Sequence, residues 1–265
     1  MEILSFDVCG KLAHFRKYYA NNTAFTYSMP PRTTVMGMLA AILGYSRDQY
    51  YERLASNRLR IGVRILQPVK KSFHRLNFLS IKSRGDALEG TGDFTGAGGH
   101  IQTPFEVVSG LHIGQDWVRY RLFVAPNEKD SEEFTLIKEA ILQSKQHFNL
   151  TLGVACFSGW IETPILHEQI VESRAEGFVP LHSAVPSNKI EKLDFRKASN
   201  SVAGENYLEE ELMPCDFASN NDRELSKLIR VLFSTEGKPY WAELNASFYT
   251  VPDHAGDNQN ILFLE

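Results

Sequence analysis

The chain has 265 residues, 43% of them hydrophobic, and a formal charge of −4. That is enough for one large domain or two small ones, with ample apolar material for a core. No apolar run approaches a membrane span, and the opening MEILSFDVCG lacks a signal-peptide pattern. Three scattered cysteines, Cys9, Cys156 and Cys215, argue against a zinc site built on close Cys pairs and suggest a reducing, cytoplasmic setting. The charge is uneven. Residues 1–85 hold 14 Lys/Arg against four acids, a formal +10, and the rest carries −14. A basic third attached to an acidic remainder suggests a polyanion partner for one face, unless folding intermixes the two charges.

In chain order, Glu2 to Cys9 reads as a strand, with Leu4, Phe6 and Val8 alternating against Ile3, Ser5 and Asp7. Gly10 ends it. Lys11 to Tyr27 is loop-like, mixing Lys11, His14, Arg16 and Lys17 with Phe15, Tyr18, Tyr19, Phe25 and Tyr27. Cations for phosphates and rings for bases are the chemistry of single-stranded nucleic-acid binding. The same rings could instead pin the loop to the core.

MPPRTTVMGMLAAILG, Met29 to Gly44, predicts a short buried helix. Pro30 and Pro31 disfavour helix before it, Thr33 or Thr34 can cap it, and Gly44 suits the C′ position. Val35, Met38, Leu39, Ile42 and Leu43 recur at helical spacing. Arg32, two hydroxyls and free amides at the start of a helix suit a phosphate. An ordinary capped core helix with a surface Arg fits the same residues.

Ser46 can cap a second short helix carrying Tyr50, Tyr51 and Leu54. RLRIGVRIL, Arg58 to Leu66, is a strand with Leu59, Ile61, Val63 and Ile65 on one face and Arg58, Arg60 and Arg64 on the other. WVRYRLFV, Trp117 to Val124, repeats the pattern with Arg119 and Arg121, so a basic sheet surface is expected. Between them, Pro68 to Thr103 begins basic (Lys70, Lys71, His74, Arg75, Lys82, Arg84) and then carries six glycines from Gly85 to Gly99. It contains no dinucleotide or phosphate-loop pattern and reads as a projecting arm.

Asp130 or Ser131 caps an amphipathic helix lined by Phe134, Ile137 and Ile141. Asn149 to Thr163 reads as a turn and a strand with Gly153 at its start. The order strand, helix, strand, strand, helix, strand is that of a ferredoxin-like, RRM-type α+β domain. Further on, the acidic run Glu205, Glu209, Glu210, Glu211 reads as solvated surface. Ser247 to Val251 and Asn260 to Glu265 read as a closing hairpin.

The opening strand with its basic-aromatic loop, PPRTTVMGMLAAILG, LGVACFSGWIE and FYTV…NILFLE together resemble the CRISPR-associated Cas-five family of the RAMP superfamily. The resemblance is best over the first 65 residues. It implies a subunit of a type I Cascade complex, most like type I-B. Residues 1–163 would form the ferredoxin-like domain with a thumb at 68–103, and residues 164–265 a β-rich region packed on it. Such a subunit binds the 5′ tag of the CRISPR RNA, caps the backbone filament and contacts the large subunit, with target DNA as a further possible contact. The RNA-facing positions would be Lys11, His14, Arg16, Arg32, Thr33 and Thr34. The thumb's Lys70, Lys71, His74, Arg75, Lys82 and Arg84 join them, with Arg47 from the basic third.

Two activities are weighed. The first is RNA binding without chemistry and with no cofactor or metal. The second is metal-free cleavage of the CRISPR precursor, for which Tyr18, Tyr19, His14, Lys70 and His74 could supply acid and base. The cleaving branch carries a Lys-His dipeptide, which this sequence lacks.

Overall fold

The structure is a computed structural model that describes residues 1–20, 23–79, 100–128, 131–196, 206–218, 223–253 and 256–265. Strands β1 (Ile3–Gly10), β2 (Leu12–Ala13), β3 (Phe15–Arg16) and β4 (Thr26–Tyr27) lead into α1 (Arg32–Leu43). Then come β5 (Leu59–Ile65), β6 (Val69–Leu79), β7 (His100–Gly110), β8 (Val118–Pro126), α2 (Glu132–Leu142) and β9 (Gly159–His167). Shorter strands follow: β10 (Glu172–Ser173), β11 (Val179–Leu181), β12 (Val185–Pro186), β13 (Ile190–Leu193) and β14 (Leu208–Phe217). The last four are β15 (Leu225–Ser234), β16 (Tyr240–Leu244), β17 (Phe248–Pro252) and β18 (Asn258–Ile261). The fold is mixed α+β and rich in strand.

Alternation along β1 organises the molecule. Leu4, Phe6 and Val8 point to one face, where α1 and α2 bury Val35, Met36, Leu39, Phe134 and Ile137 against the sheet. The sheet order is β5-β8-β1-β9, antiparallel throughout. On the opposite face Ile3, Phe123 and Ala125 pack on Tyr249, Val251, Ile261 and Phe263 of the C-terminal hairpin. Both faces are therefore covered. The outer edge of β5 is covered too, because Ala184 N–H donates to Val63 O (2.8 Å) and Leu264 N–H to Ile61 O (2.8 Å). Met213, Val231 and Phe233 of β14 and β15 enter the same core as α1, so one apolar cluster spans both halves of the chain.

The expected basic sheet surface does not form. Arg64, Arg121, Asp7 and Glu162 occupy one cross-strand row. Arg121 binds the fully buried Asp7 at 2.7 Å, and Arg119 reaches both Asp7 and Glu162 at 3.1 Å. Arg60 donates to Asn127 and Tyr249, and Arg64 donates to Gln259. Buried cations demand such partners, so this face is filled by the protein itself.

Three local expectations are also corrected. The segment after Ser46 forms turns and not a helix, with Asp48 at φ 66°. The stretch after Asn149 is a turn closed by the Thr151–Ser158 bridge, and its strand starts only at Gly159. Gly153 (φ +92°) sits so close to His14 that a Cβ would lie 1.9 Å from its carbonyl oxygen. Helix α1 begins at Arg32 with Pro31 as N-cap and no side-chain cap from either threonine; Gly44 (φ 77°) closes it in the left-handed conformation, as predicted. Ser131 caps α2 through the Phe134 amide; Asp130 lies outside the described residues.

Candidate nucleic-acid interface

The arm is a β-hairpin as far as it is described. Strands β6 and β7 pair in unbroken register from Val69↔Gly110 to Leu79↔His100. Its base is anchored where β7 pairs with β2 and where Ala24 bridges to Phe105. Lys82, Arg84 and the glycine-rich stretch lie outside the described residues. From Phe73 to Phe78 every residue of β6 is exposed, which brings Phe73, His74, Arg75 and Phe78 to solvent. Phe73 meets the exposed Phe25 edge-on at 5.8 Å. That contact joins the hairpin to the loop carrying Tyr18 and Tyr19, which touch each other edge-on at 5.2 Å. Exposed rings beside cations form one ridge. Stacking on such rings costs a nucleic acid little sequence preference, because every base has a π-face.

Of the predicted cations, some belong to this ridge. Arg75 is exposed, and among the described residues it forms no ion pair. Exposed His74 is within 3.1 Å of Ser72 Oγ. Arg16 is exposed beside the loop and donates to Ala20 O at 2.9 Å. Lys70 is exposed, its ammonium on Leu111 O. Lys11 lies apart, with Nζ 3.8 Å over the ring of Trp117. Arg47 is also apart, exposed and 3.3 Å from Asp48.

Others are not available to RNA. Arg32 is the clearest correction: its side chain is fully buried. It pairs with Asp216 at 2.6 Å and donates to the carbonyls of Leu54 (2.8 Å), Leu59 (2.7 Å) and Cys215 (3.2 Å). It ties α1 to β14 and to the turn before β5, and it is not a phosphate contact. Thr33 is buried, and half-buried Thr34 lines with it a cleft of about 310 Å³ beside Gly37, Tyr50 and Arg223. His14 is 2% exposed and stacked on Phe105 at 4.0 Å, with Nδ1 2.7 Å from Glu106 O. Burial, foremost, and then nearby Arg16 hold its pKa below the usual histidine range, against the pull of Glu106. A neutral, stacked ring of this kind supports the root of the hairpin.

The acidic run also has a role that its composition hid. Glu211 binds Lys17 at 2.5 Å, Glu209 binds Lys71 at 3.1 Å, and Ser28 donates to Glu209 at 2.6 Å. Two cations of the basic third are thus neutralised by β14; Glu205 lies outside the described residues. Phe73 and Phe78 are the site residues that sequence reading passed over. Their signal was aromatic residues interleaved with His74, Arg75 and Lys71 along one strand. Among the described residues no group of His, Cys, Asp and Glu could hold a metal ion, and no helix is long and apolar enough to cross a membrane.

Residues 3–99 match the family described as CRISPR-associated protein (Cas_Cas5). No curated protein sequence matches the chain. Among solved structures, a CRISPR protein from Archaeoglobus fulgidus is similar in fold, with a TM-score of 0.55, 12% identity and 100% of both chains covered. A chain titled as a CRISPR RNA-guided surveillance complex aligns at TM-score 0.46 and 16% identity, over 89% of this chain and 91% of that one.

Proposed function

We propose that the chain, whose residues 3–99 match the model of a CRISPR-associated family, is an RNA-binding subunit of a CRISPR effector complex with no chemistry of its own. It holds the 5′ tag of the guide RNA of a type I Cascade complex and caps the complex's backbone filament, beside the large subunit and the target DNA, in the cytoplasm. The β-α-β-β-α-β order with antiparallel strand order β5-β8-β1-β9 supports the ferredoxin-like reading of residues 1–163. The observation that carries the RNA role is the ridge itself: Tyr18, Tyr19, Phe25, Phe73 and Phe78 exposed beside Arg16, His74 and Arg75. Rings stack bases while cations meet phosphates, and the edge contact of Phe25 with Phe73 makes loop and hairpin one surface.

The same geometry supports binding without turnover. A metal-free ribonuclease needs a base at the 2′-hydroxyl and an acid at the leaving oxygen, held in register. Of the candidate groups, His14 is enclosed under Phe105, and the Lys70 ammonium is taken up by Leu111 O. His74 and the two tyrosines remain, on separate exposed segments.

Filter binding of tagged CRISPR RNA tests the proposal. Phe73→Ala should weaken binding by about 1–3 kcal/mol, the worth of one stacked base. Arg75→Ala should weaken it further and lower its salt dependence. Unchanged affinity in both variants would remove the ridge from the RNA path. One discrete cut in a labelled precursor with EDTA present, lost in His74→Ala or Tyr19→Ala, would make the chain a processing nuclease instead.

A further inference from the structure

Away from the ridge, a polar cavity of about 300 Å³ lies between β5, β10, the 3-10 turn Ser187–Lys189 and the segment joining β16 to β17. Three cations from three separate segments reach it: Arg60, Arg174 and Lys189. Arg60 is already engaged by Asn127 (2.9 Å) and by the Tyr249 hydroxyl (2.8 Å), with Glu265 at 3.7 Å. Arg174 uses Nε on Ser247 Oγ at 2.9 Å. Among the described residues neither Arg174 nor Lys189 has a carboxylate in ion-pair range.

Two acids also line the cavity, so three cations face two carboxylates. Glu172 is held by the hydroxyls of Ser247 and Tyr249, which, with Arg60 and Arg174, keep its carboxyl below the ordinary range. Glu265 lies beside Arg60. Lys189 is held below its ordinary pKa by burial first; attraction to Glu265 opposes the shift, and repulsion from Lys227 and Arg60 adds to it. With one cation more than the carboxylates, and neither Arg174 nor Lys189 in an ion pair among the described residues, a further anion would offset the cost of the half-buried ammonium.

The geometry points to this cavity as a binding site for a phosphate group, gripped by Arg174 and Lys189 with Arg60 behind them and Ser247 and Asn245 at the wall. Several acceptor oxygens on one small dianion match several donors converging from different segments, which a spherical monovalent anion does not. The inference goes beyond the RNA-holding role and does not rest on it, since no ridge residue lines the cavity.

Calorimetric titration of the whole RNA-free chain with sodium phosphate, at ionic strength held constant with sodium chloride, tests it. Saturable binding is expected, with a raised thermal midpoint. Lys189→Gln and Arg174→Gln should each weaken it at least tenfold, while Arg75→Ala on the ridge leaves it unchanged. Arg174 is exposed, so Arg174→Gln decides the matter if Lys189→Gln fails to fold. Adenosine monophosphate competing with phosphate identifies a phosphomonoester as the ligand; phosphate binding without such competition identifies the inorganic ion. No heat beyond the chloride control, or phosphate binding indifferent to Arg174→Gln, overturns the inference.

Discussion

Arg32 is a fully buried cation that joins distant parts of the fold. Its guanidinium crosses from α1 to Asp216, while Asp216 also accepts from the Ser56 amide (3.0 Å) and hydroxyl (2.5 Å). Removing one partner of a buried pair leaves the other uncompensated. Arg32→Ala should therefore lower the free energy of unfolding by about 3–5 kcal/mol in urea titrations. The RNA affinity of the folded fraction should stay at the wild-type value; a selective loss of affinity with unchanged stability would return Arg32 to the binding surface. His182 makes a pH prediction. Burial first, and then Arg64, push its pKa from 6.5 down to about 4, and its Nδ1 accepts from the Asn260 amide at 3.0 Å. The unfolded chain takes up that proton below pH 6.5 and the folded chain only near 4. Stability is thus fully present above this window and is lost as pH falls through it, by at most about 1.4 kcal/mol per pH unit. His182→Asn keeps an acceptor without the titration, so its stability should fall less steeply with acid. Identical slopes for the two proteins would exclude His182 as the source.

At the scale of elements, β14 neutralises cations of the hairpin and of the loop before α1. Strand β6 brings Lys71 and the loop brings Lys17, and β14 meets both with Glu209 and Glu211. A double Glu209→Gln, Glu211→Gln variant frees two cations beside the ridge. RNA should bind more tightly at low salt, and the slope of log K against log salt should steepen by about 0.7 for each cation that reaches a phosphate. An unchanged slope would mean that Lys17 and Lys71 stay off the RNA path. The same pairs hold the loop before α1 to the C-terminal half, so the variant also loses a little stability, as exposed or partly exposed pairs are worth at most about 1 kcal/mol each.

Over the whole molecule, the central sheet cannot stand alone. Its helix-covered face shares a core with β14 and β15, its other face is closed by β17 and β18, and its β5 edge is covered by Ala184 and Leu264. Without residues 164–265, the row Arg64–Arg121–Asp7–Glu162 and the apolar Ile3, Phe123 and Ala125 would face water. The full chain should unfold in one calorimetric transition, and a 1–163 fragment should fail to give a cooperative one. Two separated transitions in the full chain would show that the halves are stable independently.

Local pattern was sufficient wherever one short segment decides its own structure. Alternation in Ile3–Gly10 and Leu59–Ile65, helical spacing in Val35–Leu43 and a glycine after Leu43 specify their elements without reference to the rest. The mixture of rings and cations that forms the candidate site was legible for the same reason. What sequence could not settle is which charges remain free. Arg32, Arg60, Arg64, Arg119 and Arg121 look like surface from their neighbours in the chain, yet each finds its partner across the fold: Asp216 for Arg32, Glu265 for Arg60, Gln259 for Arg64 and Asp7 for Arg119 and Arg121. Composition fixes how many cations there are; only long-range packing, which brings acids more than a hundred residues away to within 3 Å, decides which of them are left for a nucleic acid.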